Sequence, residues 1–199
     1  METTVSSFSC ISGGLKRVGL YDFVIRYGLY NRVLMAGWGW LNWVRWRQID
    51  LTVLIWPPAA QYVEDIRGIL EDQAEVLSQE TVEIRSDQIT RMVEELYAVD
   101  FAGPEKVARK MERLARPPHR LEVLQVRLVR PRMAVQDALN RVRCETIGDI
   151  KDDIRRRYRD RVEDYVYDVI IHSTEADYQT EPVRRVLQKY ATNTECLNA

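Results

Sequence analysis

The sequence has little of the residue types that build disulfide frameworks and zinc sites. Its cysteines number three, at positions 10, 144 and 196, and they share no metal-ligand spacing. An odd number of unclustered cysteines is typical of a chain that works in a reducing, intracellular compartment. We therefore expect no disulfide framework and no metal held by protein ligands.

The chain also lacks a charge excess and a long apolar run. Its formal net charge is -1, so no global basic field predicts nucleic-acid binding. Every stretch long enough to cross a bilayer contains charged residues, and the N-terminus lacks the basic and apolar regions of a secretory signal. These absences predict a soluble protein.

What is present is typical of a globular protein. The 199 residues are 46% hydrophobic and 30% charged, which suits one domain with an extension. Residues 1–14 are rich in Ser, Thr and Gly, and we expect a loosely held N-terminus. Residues 15–48 interleave Trp and Tyr with Arg and form a predicted helical extension, followed by the main domain at 49–191 and a tail at 192–199.

The main domain alternates between strand and helix patterns. Apolar and β-branched runs predict strands at 50–56, 75–84, 121–129 and 165–172. Helical spacing predicts helices at 61–72, 86–97, 103–114, 132–142, 149–158 and 182–190, with Ser86 as an N-cap. Without the short inserted helices this is βαββαβ, a ferredoxin-like α+β sheet with covering helices.

Several short motifs follow one another along this domain. They are LTVLIWP at 51–57, Tyr97 at the end of a helix, RVRCET at 141–146, Ile154 with Arg155, and VIIHSTE at 169–175. In this order and at these spacings they resemble the motifs of nucleoside diphosphate kinases. The resemblance covers about two-thirds of the chain.

The resemblance implies a ping-pong reaction in which His172 takes the γ-phosphate of one nucleotide and passes it to another. A neutral imidazole is a good nucleophile near pH 7. Thr174, with Glu175 or Glu181, would orient the ring and its leaving group. The residues implied to contact the phosphates are Tyr97, Arg141, Arg143, Thr146 and Arg155. The implied ligands are nucleoside di- and triphosphates, with Mg²⁺ bridging their phosphates as the only cofactor.

Three positions depart from the family pattern. Trp56 replaces the lysine of the first motif, Val169 replaces an asparagine near the ribose, and Glu105 stands where a phenylalanine stacks on the base. Trp56 is interpreted as a core residue or, alternatively, as a new platform for the base. These departures leave a second hypothesis open, a catalytically inactive pseudokinase that serves as a structural or interaction subunit of an assembly.

The aromatic extension at 15–48 has two interpretations. Trp, Tyr and Arg are enriched where proteins contact one another, which favours packing in a homo-oligomer or against a protein partner. The weaker alternative places these residues at a membrane interface. His119, the second histidine, follows two prolines and is interpreted as a surface residue.

Overall fold

The computed structural model describes residues 46–100, 102–136, 141–163, 165–166 and 169–192. The predicted extension at 15–48 lies outside these ranges except for its end, as do residues 1–14 and most of the tail at 192–199. Within the described part, no helix has the length and apolar character that crossing a membrane requires.

Strands and helices alternate along the described chain. The strands are β1 (Gln48–Ile55), β2 (Glu75–Glu83), β3 (Arg120–Val129), β4 (Met133–Gln136), β5 (Arg141–Cys144) and β6 (Ile171–Ser173). The helices are a 3-10 helix (Pro57–Tyr62), α1 (Val63–Glu71), α2 (Ile89–Val99), α3 (Pro104–Leu114), α4 (Glu145–Tyr158) and α5 (Asp177–Tyr190).

Four strands form one antiparallel sheet in the order β2-β3-β1-β6. Counted as the first to fourth strands of the domain, these give the 2-3-1-4 order of a βαββαβ unit, so the predicted ferredoxin-like α+β fold is confirmed. β1 is central because its residues from Leu51 to Ile55, all apolar except Thr52, are buried on both faces. Pro57, which has no N–H to donate, follows the strand and begins the 3-10 helix.

The two faces of the sheet carry different helices. Leu54 of β1 and Val123 of β3 are paired and belong to a core cluster with side chains of α2 and α5. Val53 and Leu124, the next pair, face the opposite side because successive side chains alternate along a strand. On this side α1 and α4 contact each other, α1 contacts β2, and α4 contacts β6.

β4 and β5 form a separate two-stranded sheet. Met133–Arg143 belongs to a second compact unit, distinct from the one built by Arg47–Arg132 and Cys144–Ala199. The helix predicted at 132–142 is therefore wrong. The segment is short, its β-branched Val142 suits a strand, and strand pairing overrides a weak helical period in such segments.

The last strand is shorter than predicted. A strand was expected at 165–172, but the strand that pairs with β1 is Ile171–Ser173. One more hydrogen bond, from the N–H of Trp56 to the carbonyl of Ile170 at 3.0 Å, extends the contact. Beyond it Pro57 and Pro58 offer no N–H groups to continue the ladder.

Ser86 is not the N-cap of α2. The helix begins at Ile89 with Gln88 as its N-cap and without a side-chain capping bond. Instead, Oγ of Ser86 lies 2.9 Å from Nδ1 of His119. The serine hydroxyl thus ties two connecting segments together.

Candidate functional site

His172 lies in the short strand β6, opposite Leu54 of β1. Side chains of paired residues point to the same face of a sheet, so the imidazole faces the core cluster shared with α2 and α5. The side chain is buried, with 6% of the residue exposed. The sheet therefore holds this histidine inside the domain.

Two aromatic rings lie beside the imidazole. The ring of Tyr97 contacts it edge-on, with 4.9 Å between the centroids. The ring of Trp56 lies 6.4 Å from the imidazole and stacks on Tyr97 at the same centroid distance. Trp56 is fully buried in the core cluster, as its interpretation as a core residue expected.

A carboxylate faces the buried imidazole. Nε2 of His172 lies 3.0 Å from Oδ2 of Asp100, the residue that ends α2. The two groups would form an ion pair only if the imidazole were protonated, and Nε2 makes no aligned hydrogen bond. The other oxygen of Asp100 accepts a hydrogen bond from Nε2 of Gln179 at 3.1 Å, so the carboxylate is held from both sides.

The surroundings lower the pKa of His172 below its usual value. Burial is the largest cause, because it disfavours the charged imidazolium. Asp100 acts in the opposite direction, while the nearby cations Lys151 and Lys110 lower the pKa further. The imidazole is therefore neutral at pH 7, the state that a nucleophile or hydrogen-bonding histidine requires.

A buried lysine contacts the tyrosine. Nζ of Lys110, in α3, donates a hydrogen bond to Oη of Tyr97 at 2.9 Å. The same ammonium lies 4.3 Å from the centroid of the tyrosine ring. Lys110 is 1% exposed, although α3 is otherwise a polar helix that buries only this residue and Leu114.

A second buried lysine, Lys151, lies in α4. Nζ of Lys151, in α4, lies 2.6 Å from Oε1 of Glu175. The backbone N–H of Glu175 in turn donates to Oε1 of Gln179 at 2.7 Å. Gln179 thus joins the Lys151–Glu175 pair to the Asp100–His172 pair.

Thr174 and Glu181 are engaged in different ways. Oγ1 of Thr174 accepts a hydrogen bond from the backbone N–H of Thr52 at 2.9 Å and lies 3.4 Å from Oγ1 of Thr180. Glu181 is half-exposed on α5 and pairs with Arg184 and Arg185 of its own helix. Of the two alternatives for a carboxylate near the histidine, Glu175 is the one linked to the His172 network.

The residues expected to contact phosphate lie on several different elements. Arg155 donates to the carbonyl of Ile171 at 3.1 Å, directly before His172. Oγ1 of Thr146 accepts from the backbone N–H of Arg132 at 2.8 Å. Arg141 and Arg143 lie in β5, which the structure assigns to the second unit.

Three residues of the site were missed at the level of sequence, namely Asp100, Lys110 and Lys151. Asp100 follows Tyr97 by three residues, a spacing that places two side chains on one side of a helix end. Lys151 precedes Arg155 by four residues, a spacing that likewise places two side chains on one side of a helix. No pattern singles out Lys110, because its helix contains many other charged residues.

No group of three or more His, Cys, Asp or Glu side chains in the described part of the chain is arranged to hold a metal ion. The polar groups around His172 are instead an imidazole, a phenol, two carboxylates and two ammonium groups.

The comparisons with known proteins concern the fold. No protein-family model matches the chain, and no curated protein is detectably similar to it. Among solved structures, a nucleoside diphosphate kinase of Aquifex aeolicus is similar at a TM-score of 0.42 and 12% identity, over 70% of this chain and 94% of the other.

A transition-state mimic of nucleoside-diphosphate kinase from Borrelia burgdorferi, with bound vanadate and ADP, is similar at a TM-score of 0.43 and 8% identity, over 74% of this chain and 92% of the other. The assignment of the fold rests on the strand order and not on this degree of likeness.

Proposed function

We propose that this domain binds a nucleoside di- or triphosphate beside His172, and that His172 accepts a phosphoryl group from it. The observation that carries the proposal is the Asp100 carboxylate 3.0 Å from Nε2 of a buried, neutral imidazole. The negative charge of this carboxylate favours a proton on Nε2 and a lone pair on Nδ1, although Nε2 makes no aligned hydrogen bond. This is how a histidine is prepared as a nucleophile.

The reaction balances on these groups. Nδ1 attacks the γ-phosphorus, the new N–P bond forms, and the bond from the γ-phosphorus to the bridging oxygen breaks. The nucleoside diphosphate leaves with that oxygen. The phosphorylated ring keeps its Nε2 proton and carries positive charge, which the Asp100 carboxylate stabilises. In the second half-reaction an oxygen of another nucleoside diphosphate attacks the phosphorus and restores the imidazole.

The two lysines supply charge for the transferred group. Lys110 lies against Tyr97, which contacts the imidazole, and Lys151 lowers the pKa of His172 from the α4 side. Developing negative charge in a buried site is stabilised far more than in water. Mg²⁺ would enter with the nucleotide, whose phosphates are its usual ligands.

The test is a phosphorylation assay of the full chain with γ-labelled ATP and Mg²⁺. We expect an acid-labile, alkali-stable label that is absent in His172→Ala. The matched control is His119→Ala, because His119 is the other histidine of the chain and lies in a connecting segment. Absence of label in a folded chain would reject phosphoryl transfer.

A second candidate is a non-catalytic module that keeps the fold and serves an assembly, through residues 15–48 or another surface. Its support is that the polar side chains expected at the site already bond within the protein, as for Thr174, Arg155 and Glu175. The deep burial of His172 favours it as well.

Thermal stability separates the two candidates without catalysis. A ligand at 100 times its Kd stabilises a fold by about 2.7 kcal/mol. A shift of melting temperature with nucleoside di- or triphosphates supports the first candidate, and no shift with any of them supports the second.

A further inference from the structure

The helix α3 presents a basic cavity. A cavity of about 240 Å³ is lined by Glu105, Lys106, Arg109 and Lys110 of this helix. Three of these side chains are cationic, and Glu105 is the single carboxylate among them. The volume lies below the ~300–1,000 Å³ typical of pockets that enclose a whole small molecule. A cavity of this size and charge suits part of an anionic ligand.

Lys110 connects this cavity to His172. It lines the cavity yet is 1% exposed, so its ammonium lies deep, while Lys106 and Arg109 are exposed. From Lys110 the contacts run to Oη of Tyr97 at 2.9 Å and from the Tyr97 ring to the imidazole at 4.9 Å. Burying an ammonium group is costly unless the group is paired, so its position against the cavity calls for a partner.

The same path passes the position where the family lysine is missing. Trp56 stands there, buried, and stacks on the Tyr97 ring whose hydroxyl Lys110 contacts. The ammonium of Lys110 therefore lies near the position of the missing family lysine, where Trp56 stands instead. Glu105, which lines the cavity, stands where the family stacks a phenylalanine on the base, and a carboxylate gives a base no apolar platform.

We infer that the α3 cavity binds the phosphate chain of the ligand, with Lys110 as the phosphate-contacting cation in place of the missing lysine, and that the base contributes little to binding. This inference rests on the proposed function, since it names the ligand class of the same site. It assigns recognition to a linear chain of phosphates, bound by Lys106, Arg109 and Lys110. Inorganic tripolyphosphate then serves as a sufficient ligand.

The experiment is isothermal titration calorimetry of the full chain with three probes: sodium tripolyphosphate, ATP and adenosine. We expect tripolyphosphate and ATP to bind with dissociation constants within about threefold of each other, and adenosine not to bind. Losing a charge-assisted hydrogen bond typically weakens binding by about 10- to 100-fold. We expect losses of that size for Lys110→Met and for Arg109→Gln.

Arg109→Gln keeps the test decisive if Lys110→Met disturbs folding, because Arg109 is exposed. The matched control is Arg159→Gln, which removes one exposed cation from the end of α4, outside the cavity. Unchanged affinity for tripolyphosphate in Arg109→Gln, or an equal loss in Arg159→Gln, overturns the inference. Binding of adenosine as tight as that of ATP overturns it too.

The labelling assay distinguishes failure of the α3 cavity from failure of the proposed phosphoryl transfer. Label at His172 together with unchanged tripolyphosphate binding in the α3 variants rejects the cavity and leaves the transfer reaction standing. Tripolyphosphate binding that the α3 variants lose, without any label at His172, supports the cavity and rejects the transfer.

Discussion

Thr174 and Thr52 are joined by two reciprocal hydrogen bonds. The backbone N–H of Thr174 donates to the carbonyl of Thr52, and the backbone N–H of Thr52 donates to Oγ1 of Thr174, each at 2.9 Å. Both residues are fully buried. The side chain thus supplies the acceptor that continues the contact between β1 and the chain just after β6, two residues beyond His172.

Replacing Thr174 by Val is expected to destabilise the fold through this contact. The change keeps the shape of the side chain but leaves the buried N–H of Thr52 without its acceptor, which costs about 1–3 kcal/mol. Thr174→Ser keeps the hydroxyl and removes one buried methyl, worth about 0.8 kcal/mol. In urea denaturation, Thr174→Val should therefore lose more stability than Thr174→Ser. The reverse order would show that the hydroxyl is not the stabilising group.

The Lys151–Glu175 pair predicts an asymmetry between its two partners. Lys151 is buried and Glu175 is about a third exposed. Glu175→Gln leaves a buried ammonium without its carboxylate, whereas Lys151→Met replaces the ammonium by an apolar group of similar length. We expect Glu175→Gln to cost about 1–3 kcal/mol of unfolding free energy and Lys151→Met less. Equal losses, measured by urea denaturation at one pH, would contradict this account.

The sequence predicted the fold where burial is simplest. Residues 51–55 are all buried and all apolar except Thr52, as expected of a strand covered on both faces, and most residues of β3 are buried as well. The segment at 132–142 failed because its pattern is compatible with a helix and with two short strands, and only the pairing of β4 with β5 decides between them. The strand at 165–172 failed because its length is set by where β1 ends, which its own residues do not encode.

The site was predictable in its histidine and tyrosine and less so in its charges. Tyr97 and His172, 75 positions apart in the sequence, were expected at one site and the structure brings their rings together. Asp100 and Lys110 were missed because an acidic residue at a helix end and a lysine on a polar helix are ordinary features. Their roles depend on contacts across the fold that no local pattern records.

Asp100→Asn is expected to weaken phosphorylation of His172 by about 10²-fold, the typical effect of removing one electrostatic contact at a reacting centre. The amide cannot stabilise the charged phosphorylated ring as the carboxylate does. The variant should also lower the pKa of His172 further, because Asp100 is a group that raises it. An NMR titration of the imidazole measures this shift independently of catalysis. A pKa that stays unchanged or rises would show that the carboxylate does not act on the ring.

The buried histidine also predicts how stability depends on pH. The folded pKa of His172 lies below the value of about 6.5 expected in the unfolded chain, so the unfolded chain binds the proton first as pH falls. The contribution of His172 is therefore fully present above about pH 6.5 and is lost as pH falls through that value towards the folded pKa. One such group changes the unfolding free energy by at most about 1.4 kcal/mol per pH unit.

Urea denaturation of the natural chain and of His172→Gln between pH 7.5 and about 5 isolates this contribution, because the other titrating groups are common to both and largely cancel in the difference. We expect the natural chain to lose stability more steeply than His172→Gln below about pH 6.5 and the two to run parallel above it. His119→Gln, which changes the only other histidine, should follow the natural chain. A natural chain that is no steeper than His172→Gln would mean that the imidazole accepts its proton in the folded state as readily as in the unfolded one. In that case the hypothesis that His172 is a neutral, buried nucleophile would have to be rejected.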